Sequence, residues 1–336
     1  MSERRDPVER GADDSRDLYD VATWERRTAV DAIAVFVYGL VGFLTRAAVV
    51  GLALAIFLAI IVQGGLALVL EDPLILVLVA FSALPALALA WYVRRADATR
   101  AEPLWLLVAT FLLGVLFATF AAVLNTLVMP LFAGLGALAL PLFFLLVVGP
   151  VEETVKLLAV RLYAFRSSRF DAVVDGAVYG AFAGLGFATI ENFIYITRIV
   201  GQSGELAIVG AGGGIATVRA LAGPGHVIYS AIAGYYLGLA KFNRRNRGPI
   251  VVKGLLIAVL VHAGYNVLSG VAPGALAALV PGVGTFAAFV VFILVYDGVF
   301  AYYLYRKLRR YGEAFRAVRG RRGDRDPASE LTEFDP

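Results

Sequence analysis

Several stretches of this chain run for more than ~20 residues with almost no polar side chain, the length at which a helix crosses a bilayer. Leu131 to Tyr163 is one of them. In lipid every backbone N–H and C=O has to be satisfied internally, so such runs fold either as helices or as strands of a closed barrel. Barrel strands alternate apolar and polar residues, and these runs do not. The fold class is therefore all-α: a polytopic transmembrane helix bundle, multi-pass in the cell membrane. Hydrophobic residues make up 60% of the chain, above the ~45–50% of a soluble domain. Absence of cysteine removes disulfides, thiolate nucleophiles and Cys-ligated zinc together. A net charge of +4 would suit nucleic acid, but the basic residues flank apolar runs. They read as topology and lipid-headgroup charges, so the partner is the bilayer and not a nucleic acid.

Spans are expected at 47–70, 73–93, 104–128, 131–162, 171–198, 216–241, 250–269 and 283–306, eight in all. Residues 1–28, polar and mixed in charge, read as a disordered cytoplasmic tail. Residues 29–46 read as an interfacial helix or the leading turns of the first span. The membrane domain is 47–310, and 311–336 forms a second cytoplasmic tail. Arg94, Arg95 and Arg100, then Arg161, Arg166 and Arg169, then Lys241, Arg244, Arg245 and Arg247 mark alternate loops, and the intervening loops carry no basic residue. By the positive-inside rule both termini are cytoplasmic.

One of the apolar runs is interrupted by Gly149-Pro150-Val151-Glu152-Glu153-Thr154-Val155-Lys156. Each charge near mid-bilayer costs about 2.5–3.5 kcal/mol on insertion scales, so such groups usually face a cavity and serve a function. Glu152 and Lys156 are four apart and share a helix face, with Glu153 about 100° away. Two neighbouring carboxyls beside an ammonium suit acid–base chemistry on water; a plain buried ion pair that fixes packing is the simpler alternative.

Other polar groups lie on later spans. Gly180, Gly184, Phe187 and Glu191 form one stripe, whose glycines permit close helix approach and point Glu191 inward with Asn192 beside it. Only two histidines exist, and both lie inside apolar spans. His226 follows Gly223-Pro224-Gly225, which loosens a helix. His262 and Asn266 are four apart on one face.

Glu152-Glu153-x-x-Lys156, Phe187-x-x-x-Glu191-Asn192, His226 and His262-x-x-x-Asn266, in order on four spans, resemble the PrsW family of intramembrane proteases. That family is grouped with the type II CAAX prenyl proteases and bacteriocin-immunity-type membrane proteases. The prenyl-protease branch has a longer spacing to an arginine in the first motif, and a histidine where this chain has Glu191; the present sequence follows the PrsW pattern. The resemblance covers roughly 130–270 and implies a transmembrane protease domain. It implies endopeptidase action on a membrane-anchored protein substrate, such as an anti-sigma factor. It carries the catalytic core to Glu152, Glu153, His226, His262 and Asn266. Glu152 or Glu153 would activate water, Lys156 would keep the working glutamate charged, and Glu191 would orient one histidine.

Competing chemistries are weaker. His-Glu-x-x-His is absent. Tyr296-Asp297 lacks a Gly-x-Gly-Asp partner, so Asp297 is expected to be an interior polar contact. Ser203, in Gly201-Gln202-Ser203-Gly204 beside Glu205, has no base placed to activate it. A non-catalytic scaffold or a carrier of the same fold is the alternative class; no internal repeat supports a carrier. A metal-free glutamic mechanism is favoured over zinc, because Lys156 beside Glu152 already supplies positive charge. If zinc is bound, His226, His262 and Glu152 are the expected ligands. A reporter fused after Gly204 is expected to read as extracytoplasmic, and a cytoplasmic signal there would overturn the eight-span layout.

Overall fold

The computed structural model describes residues 17–20, 23–203 and 208–323. Most of the expected tail 1–28, the loop residues Gly204 and Glu205, and the last 13 residues lie outside that description. The described residues form eleven α-helices: α1 (Ala29–Gly64), α2 (Leu66–Glu71), α3 (Leu74–Arg95), α4 (Leu104–Val128), α5 (Ala139–Phe143), α6 (Gly149–Leu162), α7 (Val173–Ser203), α8 (Gly213–Phe242), α9 (Arg247–Ser269), α10 (Ala272–Leu279) and α11 (Thr285–Gly323). Among the described residues the sole β pairing is an isolated bridge between Tyr19 and Thr23.

The chain divides into two compact units, Met1–Leu52 and Ala53–Pro336. In the first, Thr28 and Asp31 cap α1 reciprocally. The Asp31 carboxylate accepts from the Thr28 N–H and hydroxyl, and the Thr28 hydroxyl accepts the Asp31 N–H at 3.2 Å. Val30, Phe36 and Tyr38 are exposed, as expected of a helix whose solvent is lipid.

The second unit is built around α7. Its most apolar window is 94% buried, far more than any other candidate span, so α7 is the axis of the bundle. Its glycine stripe sets the spacing to α8. A Cβ on Gly176 would stand 2.1 Å from the Gly234 carbonyl oxygen, one on Gly180 2.2 Å from that of Ser230, and one on Gly184 2.3 Å from that of His226. Backbone thus meets backbone, as small-residue interfaces in membrane helices allow. The opposite face packs as tightly on α4, where a Cβ on Gly186 would lie 2.1 Å from the Phe111 carbonyl oxygen. Outer helices present apolar side chains outward, as Val252, Leu256 and Leu260 do along one face of α9.

Among the described residues, six helical segments are long and apolar enough to cross a membrane: Ala29–Gln63, Leu74–Arg95, Leu104–Arg166, Val173–Gln202, Arg244–Ser269 and Thr285–Val318. They cover seven of the eight expected spans, because Leu104–Arg166 contains two of them. The exception is 216–241, which forms α8 as expected. Its glycines, tyrosines and His226 hold its hydropathy down. The segment expected as one span at 131–162 is broken. Met129–Leu138 is a 3-10 stretch with Gly136 at φ 54°, Ala139–Phe143 is a short α turn, and Phe144–Val148 is a π turn. Pro130 and Pro141 remove the donors that a continuous helix would need. Regular helix resumes at Gly149 with Pro150 in its first turn, where a missing N–H costs nothing.

Replacing Gly180 with valine should destabilise the bundle by about 2 kcal/mol or more, through overpacking of the α7–α8 contact. Gly298→Ala, where nothing lies within 4 Å of the added carbon, should leave stability unchanged. Thermal unfolding of the purified variants in one detergent compares the two.

Candidate active site

The π turn at Phe144–Val148 delivers the start of α6 against α9. Gly149 lies so close that a Cβ there would be 3.1 Å from the Val259 carbonyl oxygen. That approach brings Glu152 and Glu153 to His262, one turn further along α9. From the other side, the α7–α8 glycine contact ends at His226. Four helices therefore converge on one polar centre.

Lys156 lies at its middle and is fully buried. Its ammonium donates to Glu153 Oε1 at 2.7 Å and to His226 Nδ1 at 2.9 Å, and sits 4.2 Å above the Phe187 ring. Glu152 Oε2 is farther away, at 3.8 Å. Lys156 is therefore paired with both glutamates, more closely with Glu153 than with the Glu152 expected from the spacing. Helix geometry permits either pairing; the His226 nitrogen draws the ammonium to the Glu153 side.

Glu153 Oε1 also accepts from His262 Nδ1 at 2.9 Å. A proton held on Nδ1 leaves the Nε2 lone pair directed at Glu152 Oε2, 3.7 Å away. Glu152 is fixed through its other oxygen, which accepts from Asn125 Nδ2 at 3.2 Å. Its Oε2 is buried and receives no hydrogen bond. The His226 and His262 rings meet edge-on with centroids 5.1 Å apart.

His226 Nε2 donates to Glu191 at 2.8 Å. Glu191 in turn is paired with Arg219, whose Nε donates to Asn192 Oδ1 at 2.8 Å and whose guanidinium covers the Tyr195 ring at 4.5 Å. Asn192 donates to Ser82 Oγ at 3.0 Å. Asn266 lines the cavity described next. Asp297 accepts the Tyr229 hydroxyl at 2.6 Å, an interior contact of α8 with α11.

Sequence reasoning passed over Arg219 and Asn125. Arg219 stands two helical turns before His226, on the same face of an otherwise weakly charged α8, and that spacing was the available signal. Asn125 is a single amide in an apolar helix, and its partner is 27 residues away in sequence.

A cavity of about 520 Å³ opens onto the centre, within the usual range for ligand sites. Glu152, Glu191, Arg219, His226, His262 and Asn266 line it, and Phe143, Phe144 and Val148 of the broken segment form part of its wall. Glu153, Lys156 and Asn192 are not among its lining residues and support the others from behind. Glu152, His226 and His262 each offer one ligand atom, and the three atoms lie within 4.8 Å of one another.

Residues 102–296 match the family described as PrsW family intramembrane metalloprotease, more than half of the chain. The chain belongs to the PrsW family. A protein named Protease PrsW from Clostridioides difficile (strain 630) is 32% identical over 188 residues, covering 54% of this chain and 75% of that protein. Proteins of the same name from Geobacillus kaustophilus (strain HTA426) and Bacillus subtilis (strain 168) are 32% and 30% identical, over 56% and 54% of this chain and 78% of each relative. No solved structure matches the chain. The PrsW match spans every residue of the polar centre, from Asn125 to Asn266.

Arg219→Ala should leave Glu191 with His226 alone and lower kcat/KM for peptide cleavage by about 10–100-fold, as lost outer contacts of this kind do. Arg219→Lys should recover part of it, since lysine keeps the charge but loses the fork to Asn192. Cleavage kinetics beside thermal unfolding would check both.

Proposed function

We propose that the chain is an intramembrane endopeptidase that hydrolyses a peptide bond of a membrane-anchored protein in this cavity. Glu152, His226 and His262 would hold a divalent metal ion, zinc by donor type. The observation that carries this is Glu152 Oε2: buried, without a donor, and beside the free Nε2 of His262. Two imidazoles and a carboxylate are the donor set of a catalytic zinc. Glu153 on His262 Nδ1 is the outer contact that such ligands carry. When bound, the ion supplies Lewis acidity, polarising a carbonyl and activating water.

The chain's own groups do the rest. Asn125 fixes one oxygen of Glu152 and aims the other into the cavity. Glu153 keeps the His262 proton on Nδ1, and Lys156 balances the Glu153 charge. Glu191 and Arg219 hold the His226 ring. The Asn266 amide, on the cavity wall, would donate to an oxyanion developing on the scissile carbonyl.

A second reading, metal-free glutamic catalysis, is favoured by His226 alone. Lys156 donates to its Nδ1, so in this arrangement its Nε2 carries the proton and meets Glu191; binding a metal there would require that proton to leave. In that reading Glu152 takes the proton from water and His262 shares the hydrogen bond. The sequence-based preference for this chemistry rested on Lys156 lying beside Glu152; the ammonium is ion-paired with Glu152 at 3.8 Å and more closely with Glu153 at 2.7 Å.

With a single-span protein substrate, Glu152→Ala and His262→Ala should each lower kcat/KM by about 10²–10⁴-fold without loss of folding. Stoichiometric zinc that leaves and returns together with activity supports the metal reading. Full activity of metal-free protein supports the glutamic one. Undiminished cleavage by Glu152→Ala, Glu153→Ala and the double variant would remove both, and leave a scaffold or carrier.

A further inference from the structure

A second group of carboxylates lies at the other end of the bundle, where the basic loops are. Asp97 follows α3, Glu102 precedes α4, and Asp175 stands in the first turn of α7. One oxygen from each lies within 4.8 Å of the others. Glu102 and Asp175 are buried, at 2% and 0% exposure, and Asp97 is half-buried.

Each carboxylate has an ordinary structural duty on one oxygen only. Asp175 Oδ2 accepts the N–H groups of Asp171 and Ala172, both at 2.7 Å, which caps α7. Asp97 Oδ1 accepts the N–H and hydroxyl of Thr99 at 2.8 and 2.6 Å. Glu102 Oε2 accepts the Tyr179 hydroxyl. Asp175 Oδ1 and Asp97 Oδ2 are buried and accept from no N–H or hydroxyl group, and the Asp175 carboxyl lies within hydrogen-bond reach of Glu102. Capping accounts for the first set of oxygens and not for the second. Two neighbouring cations spend their hydrogen bonds elsewhere, although Lys241 is close enough to feel the charges of Asp175 and Glu102. Arg94 donates to the Glu102 backbone carbonyl at 3.1 Å, and Lys241 to the Phe165 and Phe170 carbonyls at 2.8 and 2.7 Å.

Three carboxylates this close repel one another strongly in a medium of low dielectric unless protons or a cation lie among them. We propose that Asp97, Glu102 and Asp175 form a site for a hard divalent cation, of the magnesium, manganese or calcium class, that ties the α3–α4 connection to the start of α7. The donors are oxygen only, which selects hard cations. Their spacing suits one ion, since ligand oxygens at about 2.0–2.6 Å from a common centre lie at most about 4–5 Å apart. The Glu152, His226 and His262 set differs in kind, because its two imidazoles suit zinc.

The full-length protein in detergent, stripped with chelator and kept free of zinc, should be titrated with magnesium, manganese and calcium at about pH 7.5. At millimolar concentration at least one should raise the unfolding midpoint by about 3 °C or more, with saturable one-to-one binding by calorimetry. Asp97→Asn and Glu102→Gln should abolish both effects, whereas Glu152→Gln and His262→Ala should keep them. The wild-type titration decides even if a variant does not fold. No shift and no saturable binding with any of the three cations overturns the proposal, and so does an equal shift in Asp97→Asn. Stabilisation by acidification alone would assign the cluster to shared protons and overturn it too.

Discussion

The polar centre depends on one buried ammonium. Lys156 lies between Glu153 and His226 Nδ1, over the face of Phe187. These contacts join α6, α7 and α8, and Glu153 extends the link to His262 on α9. An unpaired lysine in a bundle of this kind would be prohibitively costly, whereas one with a carboxylate, an imidazole nitrogen and an aromatic face is tolerable. Removing Glu153 would leave the buried ammonium with only Glu152, 3.8 Å away, as a charged partner. From Lys156 the contacts run both ways, to Glu191 and Arg219 through His226 and to Glu152 through His262.

That arrangement needs helices closer together than side chains usually allow. The stripe at Gly176, Gly180 and Gly184 lets α7 and α8 touch backbone to backbone, and His226 lies at its end. Without large side chains between them the ring has few places to go, and Phe187 stacks near it at 5.3 Å. Gly149 does the same for α6 against α9. Small residues here fix the distance between chemical groups, and the apolar exterior leaves the whole assembly in lipid.

Two polar clusters therefore sit along α7, one toward each end. Glu191 belongs to the histidine centre, and Asp175 belongs to the carboxylate group near the basic loops. Both are buried against the same rigid axis, and α7 is the most buried helix of the bundle.

Composition and periodicity by themselves determined the helical class, the positions of most spans and the four motif segments, because lipid leaves the backbone no other option and makes each interior charge conspicuous. Glu152, Glu153, Lys156, Glu191, His226, His262 and Asn266 could all be picked out on that ground. Spacing on one helix could not say whether Lys156 would meet Glu152 or Glu153, since both lie within a turn; His226, from another helix, decided it. Nor could it show that 131–162 is broken, because prolines and glycine in an apolar run are tolerated or not according to what packs beside them. Asn125 and Arg219 became part of the site only through contacts 27 and 28 residues apart in sequence. Asp97, Glu102 and Asp175 are ordinary loop and cap residues until the bundle closes. Sequence fixes which groups are costly to bury, but which partner relieves each cost depends on distances between helices, and those exist only once the helices have packed.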